Sequence, residues 1–101
     1  MMESKPLKVS YSKQFVRDLN LAKRHPNVLI GTKYITAIHC LLNRLPLPES
    51  YQDHALSGEW KGYRDCHIQG DLVLIYQYVI HDEFDELKFA RLNTHSQTAL
   101  K

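Results

Sequence analysis

The sequence has only two cysteines, Cys40 and Cys66, and they lie far apart. No CxxC pair or set of neighbouring ligands accompanies them, so neither a disulfide framework nor a zinc finger is predicted. We expect both to be free thiols with a structural role. Internal repeats and low-complexity segments are also absent, which argues against a repeat architecture or a long linker.

Long apolar runs are missing as well. No stretch approaches the roughly 18 apolar residues of a membrane span, and the polar start MMESKPLKVS lacks the pattern of a secretory signal. We therefore expect a cytoplasmic protein that does not contact the membrane. With 101 residues, 44% of them hydrophobic, the chain can fill one core, and a single domain covering residues 1–101 is predicted.

Acidic residues are scarce in the first half of the chain. The overall net charge is only +2, but residues 1–45 hold eight Lys and Arg residues against Glu3 and Asp18. This half is the one predicted to be helical, so its basic face suits a polyanion or an acidic protein segment. Ordinary solvated helix charges are the alternative, and charge alone does not decide between the two.

Apolar spacing predicts a strand and two helices at the start of the chain. Leu7–Tyr11 alternates apolar and polar residues, as a half-buried strand does. Ser12 can cap a first helix, which should end at the His25-Pro26 step because proline disfavours helix at the preceding residue. After Pro26 a second, longer helix should bury one stripe before the prolines 46 and 48 end it: Ile35, Ile38, Leu42 and Leu45.

The remaining pattern predicts strands. After a loop over 46–58, strands are expected over 59–68 and 71–79, joined through Gln69-Gly70 as a hairpin, followed by a third strand over 87–92. The middle strand of these three is apolar on both faces and should be central. The prediction is an α+β domain, with the N-terminal strand and two helices packed on one face of a mainly antiparallel sheet.

Six titratable or basic side chains are predicted to gather around this sheet. Asp65 and His67 lie two apart on one strand and so share a face, while the hairpin brings Asp71 near them. The full set is His54, Asp65, His67, Asp71, Arg91 and His95. Histidine can act as acid or base near neutral pH, and Arg91 could stabilise a pentavalent phosphate. Such a set is sufficient for RNA cleavage through the ribose 2′-OH without a metal.

Other interpretations of these residues remain open. A metal site built from His54, His67, Asp65 and Asp71 is chemically possible, but no HExxH or HxH spacing supports it. The histidines that stand alone, His25, His39 and His81, are expected to be surface or capping residues. Four aromatic residues could stack on unpaired bases, although strand aromatics more often pack in a core, as we expect of Trp60; the other three are Tyr63, Tyr76 and Tyr78.

The string from Asp53 to His67, DHALSGEWKGYRDCH, resembles the DHxLxGxWKGYRDxH signature of YafQ-like toxins in the RelE/ParE superfamily. Asp71–Tyr76 is similar to the strand that follows it in those toxins, and Arg91–His95 to their RxxTH ending. These motifs span about half of the chain. In those toxins an aromatic residue commonly follows soon after the last histidine, whereas Ser96–Lys101 contains none.

The resemblance implies a RelE-like fold and the toxin of a bacterial type II toxin–antitoxin system. Such a toxin cuts mRNA in the A site of the 70S ribosome and so inhibits translation. Its implied partners are a cognate antitoxin and ribosome-bound mRNA, with operator DNA contacted only through the antitoxin complex. No cofactor is implied.

The resemblance also implies site residues. Carried over by position, the catalytic set comprises His54, His67, Asp71 and His95, with Asp65 as a further acidic member. From the chemistry, we take His95 as the general acid and place the base at His67 or Asp71. The basic residues assigned to the substrate are Lys61, Arg64 and Arg91.

Two rivals share much of this pattern. A ParE-like toxin has the same architecture but inhibits a protein target such as DNA gyrase, and it has no need of converging acid and base groups. A module with a decayed active site would only bind RNA or titrate an antitoxin, which the presence of every motif position argues against. An enzyme, an endoribonuclease, is therefore the prediction.

Overall fold

The computed structural model describes residues 5–94 of the chain. Its main elements are β1 (Leu7–Tyr11), α1 (Lys13–Ala22), α2 (Pro26–Leu29), α3 (Thr32–Leu42), β2 (His54–Ala55), β3 (Arg64–Gln69), β4 (Leu72–Ile80) and β5 (Asp85–Thr94). Single turns of 3-10 helix lie between α3 and β3, at Glu49–Tyr51 and Gly58–Trp60. Within 5–94, no helix has the length and apolar content needed to cross a membrane.

β1 and α1 begin where the sequence predicts them, and Ser12 joins the two. Its hydroxyl oxygen accepts a hydrogen bond from the amide of Phe15 at 2.9 Å, which caps α1. The same hydroxyl donates to the Ala90 carbonyl at 2.6 Å and so ties the helix start to β5. Phe15 is buried, and Leu19 and Ala22 pack against the same core, as their helical spacing predicts.

A short helix that the sequence did not predict precedes the second predicted helix. α2 ends at Leu29, and α3 begins at Thr32 with Gly31 as its N-cap. A Cβ atom at position 31 would lie 2.6 Å from the carbonyl oxygen of Asn27, so only glycine permits this close approach. The start of α3 thus depends on a backbone contact, which side-chain periodicity does not reveal.

α3 also buries a different stripe from the predicted one. Ile35, Leu42 and Leu45 are 52%, 41% and 48% exposed, and only Ile38 of that stripe packs against the core. The buried residues of α3 are Ala37, Cys40 and Leu41. The prediction failed because α3 is apolar around much of its circumference, so more than one stripe fits the same spacing.

The five strands form one sheet in the order β1-β5-β4-β3-β2. β1 runs parallel to β5, and the other neighbouring pairs are antiparallel. β4 is the central strand, and its residues Val73, Leu74 and Ile75 are 0% exposed. The α+β class, the antiparallel meander and the central position of the doubly apolar strand are thus confirmed.

The predicted strand over 59–68 begins too early. Gly58–Trp60 forms a helical turn instead, and β3 starts only at Arg64. The hairpin turn lies at Gly70-Asp71, one residue later than predicted, because a bulge between His67 and Gln69 shifts the register. Gly70 has φ +54°, which is the left-handed conformation that glycine was expected to supply.

The two faces of the sheet pack against different layers. The face that the helices cover, here called the helix face, carries the main core, including Cys66, Ile68 and Leu74. The opposite face, here called the second face, carries a smaller cluster in which Val73 and Ile75 pack with Leu56, Ala90, Trp60 and Tyr63. Because side chains alternate along β3, Asp65 and His67 lie on the second face.

The two cysteines are free and buried, as expected. Cys66 is 0% exposed on the helix face. Burial raises the pKa of the Cys66 thiol to about 12, because the low-polarity surroundings disfavour the thiolate. A thiol held protonated in this way is unreactive, so the role of Cys66 is packing.

Candidate active site

The two-residue strand β2 brings His54 onto the sheet. His54 lies directly opposite Asp65 of β3, and residues paired across strands share a face. The Nδ1 atom of His54 lies 3.1 Å from Asp65 Oδ1 and 2.8 Å from the carbonyl oxygen of Gln52. The sequence predicted only a loop here, so the pairing that places His54 comes from the tertiary structure.

His67 completes a histidine pair on the second face. The rings of His54 and His67 lie 6.5 Å apart between centroids. The side chain of His54 is 52% exposed, whereas that of Asp65 is 0% exposed beneath it. Two imidazoles, one of them above a buried carboxylate, can supply both a proton acceptor and a proton donor to one substrate. This convergence of His54, Asp65 and His67 is the one that the sequence predicts.

The hairpin turn carries the next predicted site residue. Asp71 is exposed in this turn, between the end of β3 and the start of β4, rather than on the strand itself. β5 ends at Thr94, which lies opposite Leu72, the neighbour of Asp71. His95 follows Thr94 in the sequence but lies outside the described residues.

Arg91 forms an internal ion pair that the sequence did not predict. Its Nε donates to Asp18 Oδ2 at 2.9 Å and its terminal nitrogen to Asp18 Oδ1 at 3.2 Å, in a two-pronged contact with α1. Asp18 Oδ2 also accepts the amide of Leu92 at 2.9 Å. The carboxylate of Asp18 thus does two things. It accepts a hydrogen bond from a β5 amide that has no partner on β1, because β1 has already ended, and it neutralises the charge of Arg91.

Arg64 is likewise engaged in an internal contact. Its guanidinium donates to the Asp53 carboxylate at 3.1 Å, and the Tyr76 hydroxyl donates to the same carboxylate at 2.6 Å. Tyr76 belongs to the core of the helix face and lies opposite Arg64 in the register, so Arg64 points away from the histidines. Burial and the nearby Asp53 raise the pKa of Tyr76, which keeps this hydroxyl protonated.

Lys61, the third predicted substrate residue, is exposed after the Gly58–Trp60 turn.

The aromatic residues have packing roles. Trp60 and Tyr63 cover the smaller cluster on the second face, with ring centroids 5.3 Å apart in an edge-to-face contact. Tyr76 and Tyr78 pack against the main core on the helix face, where the Tyr78 hydroxyl donates to the Leu41 carbonyl. The expectation that Trp60 packs in a core is confirmed.

The remaining histidines lie apart from the candidate site. His25 and His39 are exposed, and His81 Nε2 lies 3.0 Å from Glu86 Oε1 near the other end of β4. Among residues 5–94, no three His, Cys, Asp or Glu side chains come close enough together to hold a metal ion. Asp18, Asp53 and Gln52 are the contributors that sequence reasoning missed, because each acts on a residue whose proximity only the fold creates.

Comparison with known proteins identifies the family. Residues 7–99 match the model of the family described as the bacterial toxin of a type II toxin–antitoxin system, YafQ. A YafQ protein of Haemophilus influenzae is 89% identical over 102 aligned residues, which cover all of both chains. The mRNA interferase toxin YafQ of Escherichia coli K12 is 40% identical over 88 residues, covering 87% of this chain and 90% of the relative.

Solved structures agree with the sequence comparison. YafQ in the Escherichia coli DinJ-YafQ toxin–antitoxin complex superposes with a TM-score of 0.70 at 38% identity, covering 89% of this chain and 93% of that one. A metal-bound toxin from Helicobacter pylori superposes with a TM-score of 0.76 at 32% identity, covering 90% and 97%. The chain therefore belongs to the YafQ family of bacterial type II toxin–antitoxin toxins.

Proposed function

We propose that this toxin is a ribosome-dependent endoribonuclease that cuts mRNA by acid and base catalysis. The observation that carries the proposal is the meeting of His54, His67 and Asp65 on the second face, beside the hairpin turn that bears Asp71. A relative that is 40% identical is named an mRNA interferase toxin, and the family match covers most of the chain. A gyrase inhibitor of the ParE kind would have no use for this cluster.

The proposed chemistry requires two proton transfers. A base removes the proton of a ribose 2′-OH, which attacks the adjacent phosphate, and an acid protonates the departing 5′ oxygen. Of the catalytic set, His67 or Asp71 is the proposed base and His95 the proposed acid, with His54 beside them. No nucleophile from the protein is needed.

Of the three cations assigned to the substrate, Lys61 is the one that we propose for the RNA backbone. Arg64 and Arg91 each hold a carboxylate of the fold, so their charges are already compensated where they lie. Lys61 is exposed and makes no ion pair among the described residues, so we retain it as a proposed contact to the RNA backbone. The protonated imidazoles and Lys61 are then the groups proposed to stabilise the negative charge of the transition state.

Production of the toxin without its antitoxin should stop translation before replication. Cleavage of mRNA in the ribosomal A site blocks elongation at once, whereas inhibition of gyrase affects DNA synthesis first. Pulse labelling of protein and DNA after induction measures the order, and primer extension on transcripts maps the cuts. DNA synthesis failing first, with intact transcripts, would replace this proposal by the gyrase alternative.

The same cleavage assay tests the proposal that no metal takes part. On programmed ribosomes, cutting should persist when a chelator removes transition metals and leaves ribosomal magnesium in place. This chelation experiment is needed because one structural relative is a metal-bound toxin. Loss of cutting that zinc, copper or manganese specifically restores would show that a metal is required.

We propose that a cognate antitoxin docks on the exposed side of α1, and that operator DNA is reached only through that complex. Lys13 and Arg17 are exposed there with Val16 and Leu21, which are 46% and 57% exposed, and Arg24 is exposed just beyond the end of the helix. Basic and apolar groups together suit an acidic amphipathic segment.

Since mRNA on the ribosome is the proposed substrate, the toxin would act in the cytoplasm.

Antitoxin affinity should therefore fall as salt concentration rises, because screening weakens the attraction of these basic residues for an acidic partner. Arg17→Glu should weaken the complex and flatten its salt dependence, whereas Lys88→Glu, a charge reversal on β5, serves as the matched control. Calorimetric titration at several salt concentrations measures both. An affinity that does not change with salt would indicate an apolar interface instead.

A further inference from the structure

The contacts of His54 determine which of its ring nitrogens carries a proton. Nδ1 has two neighbours, the Gln52 carbonyl oxygen at 2.8 Å and Asp65 Oδ1 at 3.1 Å. The hydrogen bond is the one to the Gln52 carbonyl, which can only accept, so Nδ1 must be the donor, whereas Asp65 Oδ1 lies at ion-pair distance without a hydrogen bond to Nδ1. In the neutral imidazole the lone pair then lies on Nε2, which makes no hydrogen bond within residues 5–94.

The backbone conformation at Gln52 places its carbonyl oxygen next to the ring of His54. Gln52 has φ 49° and ψ 41°, the left-handed conformation that non-glycine residues adopt at a cost. Such strain is commonly kept where the surrounding structure uses the conformation. Here it turns the chain between the Glu49–Tyr51 turn and β2, and it leaves the carbonyl of Gln52 against Nδ1 of His54.

Asp65 and His54 differ in exposure, so only one of the two side chains can contact RNA. The side chain of Asp65 is 0% exposed, so RNA cannot contact it while the protein is folded. That of His54 is 52% exposed, and its Nδ1 edge is the one engaged with the protein. Any effect of Asp65 on a bound RNA must therefore pass through a neighbouring residue, and His54 Nδ1 lies 3.1 Å from its carboxylate.

We propose that Asp65 is a positioning residue for His54: the Gln52 carbonyl holds the proton on Nδ1, the buried carboxylate beside Nδ1 favours the ring in its cationic form, and Nε2 is the atom that the ring presents to the RNA. This inference rests on the proposed function. When Nε2 accepts a proton the ring becomes cationic, and the carboxylate 3.1 Å from Nδ1 stabilises that charge. When Nε2 releases the proton, the ring returns to the same tautomer and orientation.

Imidazole nitrogen NMR tests the tautomer without any measurement of activity. At about pH 8.5, well above the ordinary pKa of histidine, His54 should show a protonated Nδ1 and an unprotonated Nε2. His39 is an internal control, because its Nδ1 lies 3.4 Å from the Asn43 side-chain nitrogen, a donor, and should be unprotonated. A neutral His54 with its proton on Nε2 would overturn the proposal.

Cleavage kinetics test whether Asp65 affects the cutting rate only through His54. Asp65→Asn keeps the size of the side chain and removes its charge, and should slow cutting by about 10²- to 10⁴-fold with little change in melting temperature. In a His54→Ala background the same substitution should cause no further loss, because the group it acts through is gone. An equal loss in both backgrounds, or a loss that only follows unfolding, would contradict a positioning role.

The two experiments fail in different ways. A wild-type toxin that cuts no mRNA on ribosomes would overturn the proposed function, but the tautomer of His54 would still be decided by NMR. A toxin that cuts mRNA with His54 in the other tautomer would leave the proposed function intact and reject the role of Asp65.

Discussion

His95→Ala should abolish mRNA cleavage while leaving the fold and antitoxin binding intact. His95 lies outside the described residues; the residue before it, Thr94, ends β5 opposite Leu72, the neighbour of Asp71. Loss of a general acid that protonates a 5′ oxygen costs typically about 10²- to 10⁴-fold in rate. Cutting on programmed ribosomes, melting temperature and antitoxin affinity should all be measured on one purified variant.

His39→Ala is the matched control for this substitution. His39 is an exposed histidine on α3 whose contacts are local, to Asn43. Its removal should leave cutting near the wild-type rate. If His95→Ala cuts as fast as the wild-type toxin, or loses activity only in step with a fall in stability, His95 is not the acid and the catalytic assignment fails.

Asp18→Ala should be among the most destabilising substitutions in the protein. It removes the partner of Arg91 and leaves the amide of Leu92 without its acceptor, both in a largely buried setting. Breaking a buried ion pair from one side typically costs about 3–5 kcal/mol. Because the side chain of Arg91 is 22% exposed and can be partly solvated, we expect roughly 2–4 kcal/mol here.

Urea denaturation monitored by circular dichroism measures this loss in the free energy of unfolding. Asn20→Ala, an exposed position on the same helix, is the control and should change stability by no more than about 0.5 kcal/mol. If Asp18→Ala is as mild as the control, Arg91 has another partner available, and its assignment as a residue of the fold would have to be withdrawn in favour of a role on the RNA.

The sequence by itself determined the features that depend on neighbouring residues. Alternation in β1, the Ser12 cap of α1 and the apolar run of β4 are local signals, and the structure agrees with each. The placement of Asp65 and His67 on one face also follows from strand geometry alone. The histidine cluster could be predicted for this reason, together with the motif that places His54 shortly before it.

Only the tertiary structure decided the features that join distant parts of the chain. Asp18 and Arg91 are 73 residues apart, and their pairing exists because α1 continues past β1 along the edge of β5. The break before α3 depends on a backbone contact at Gly31, and the stripe that α3 buries depends on which face the sheet covers. Neither is encoded in apolar spacing.

The same division applies within the candidate site. The sequence named Asp65 as an acidic member, but its burial beneath His54 arises from the pairing of β2 with β3, and β2 is only two residues long. A strand that short has no periodicity to detect. The residues of the candidate site were therefore predicted by the sequence, whereas the fold decided which of them are exposed and which are buried, because exposure depends on packing across the whole domain.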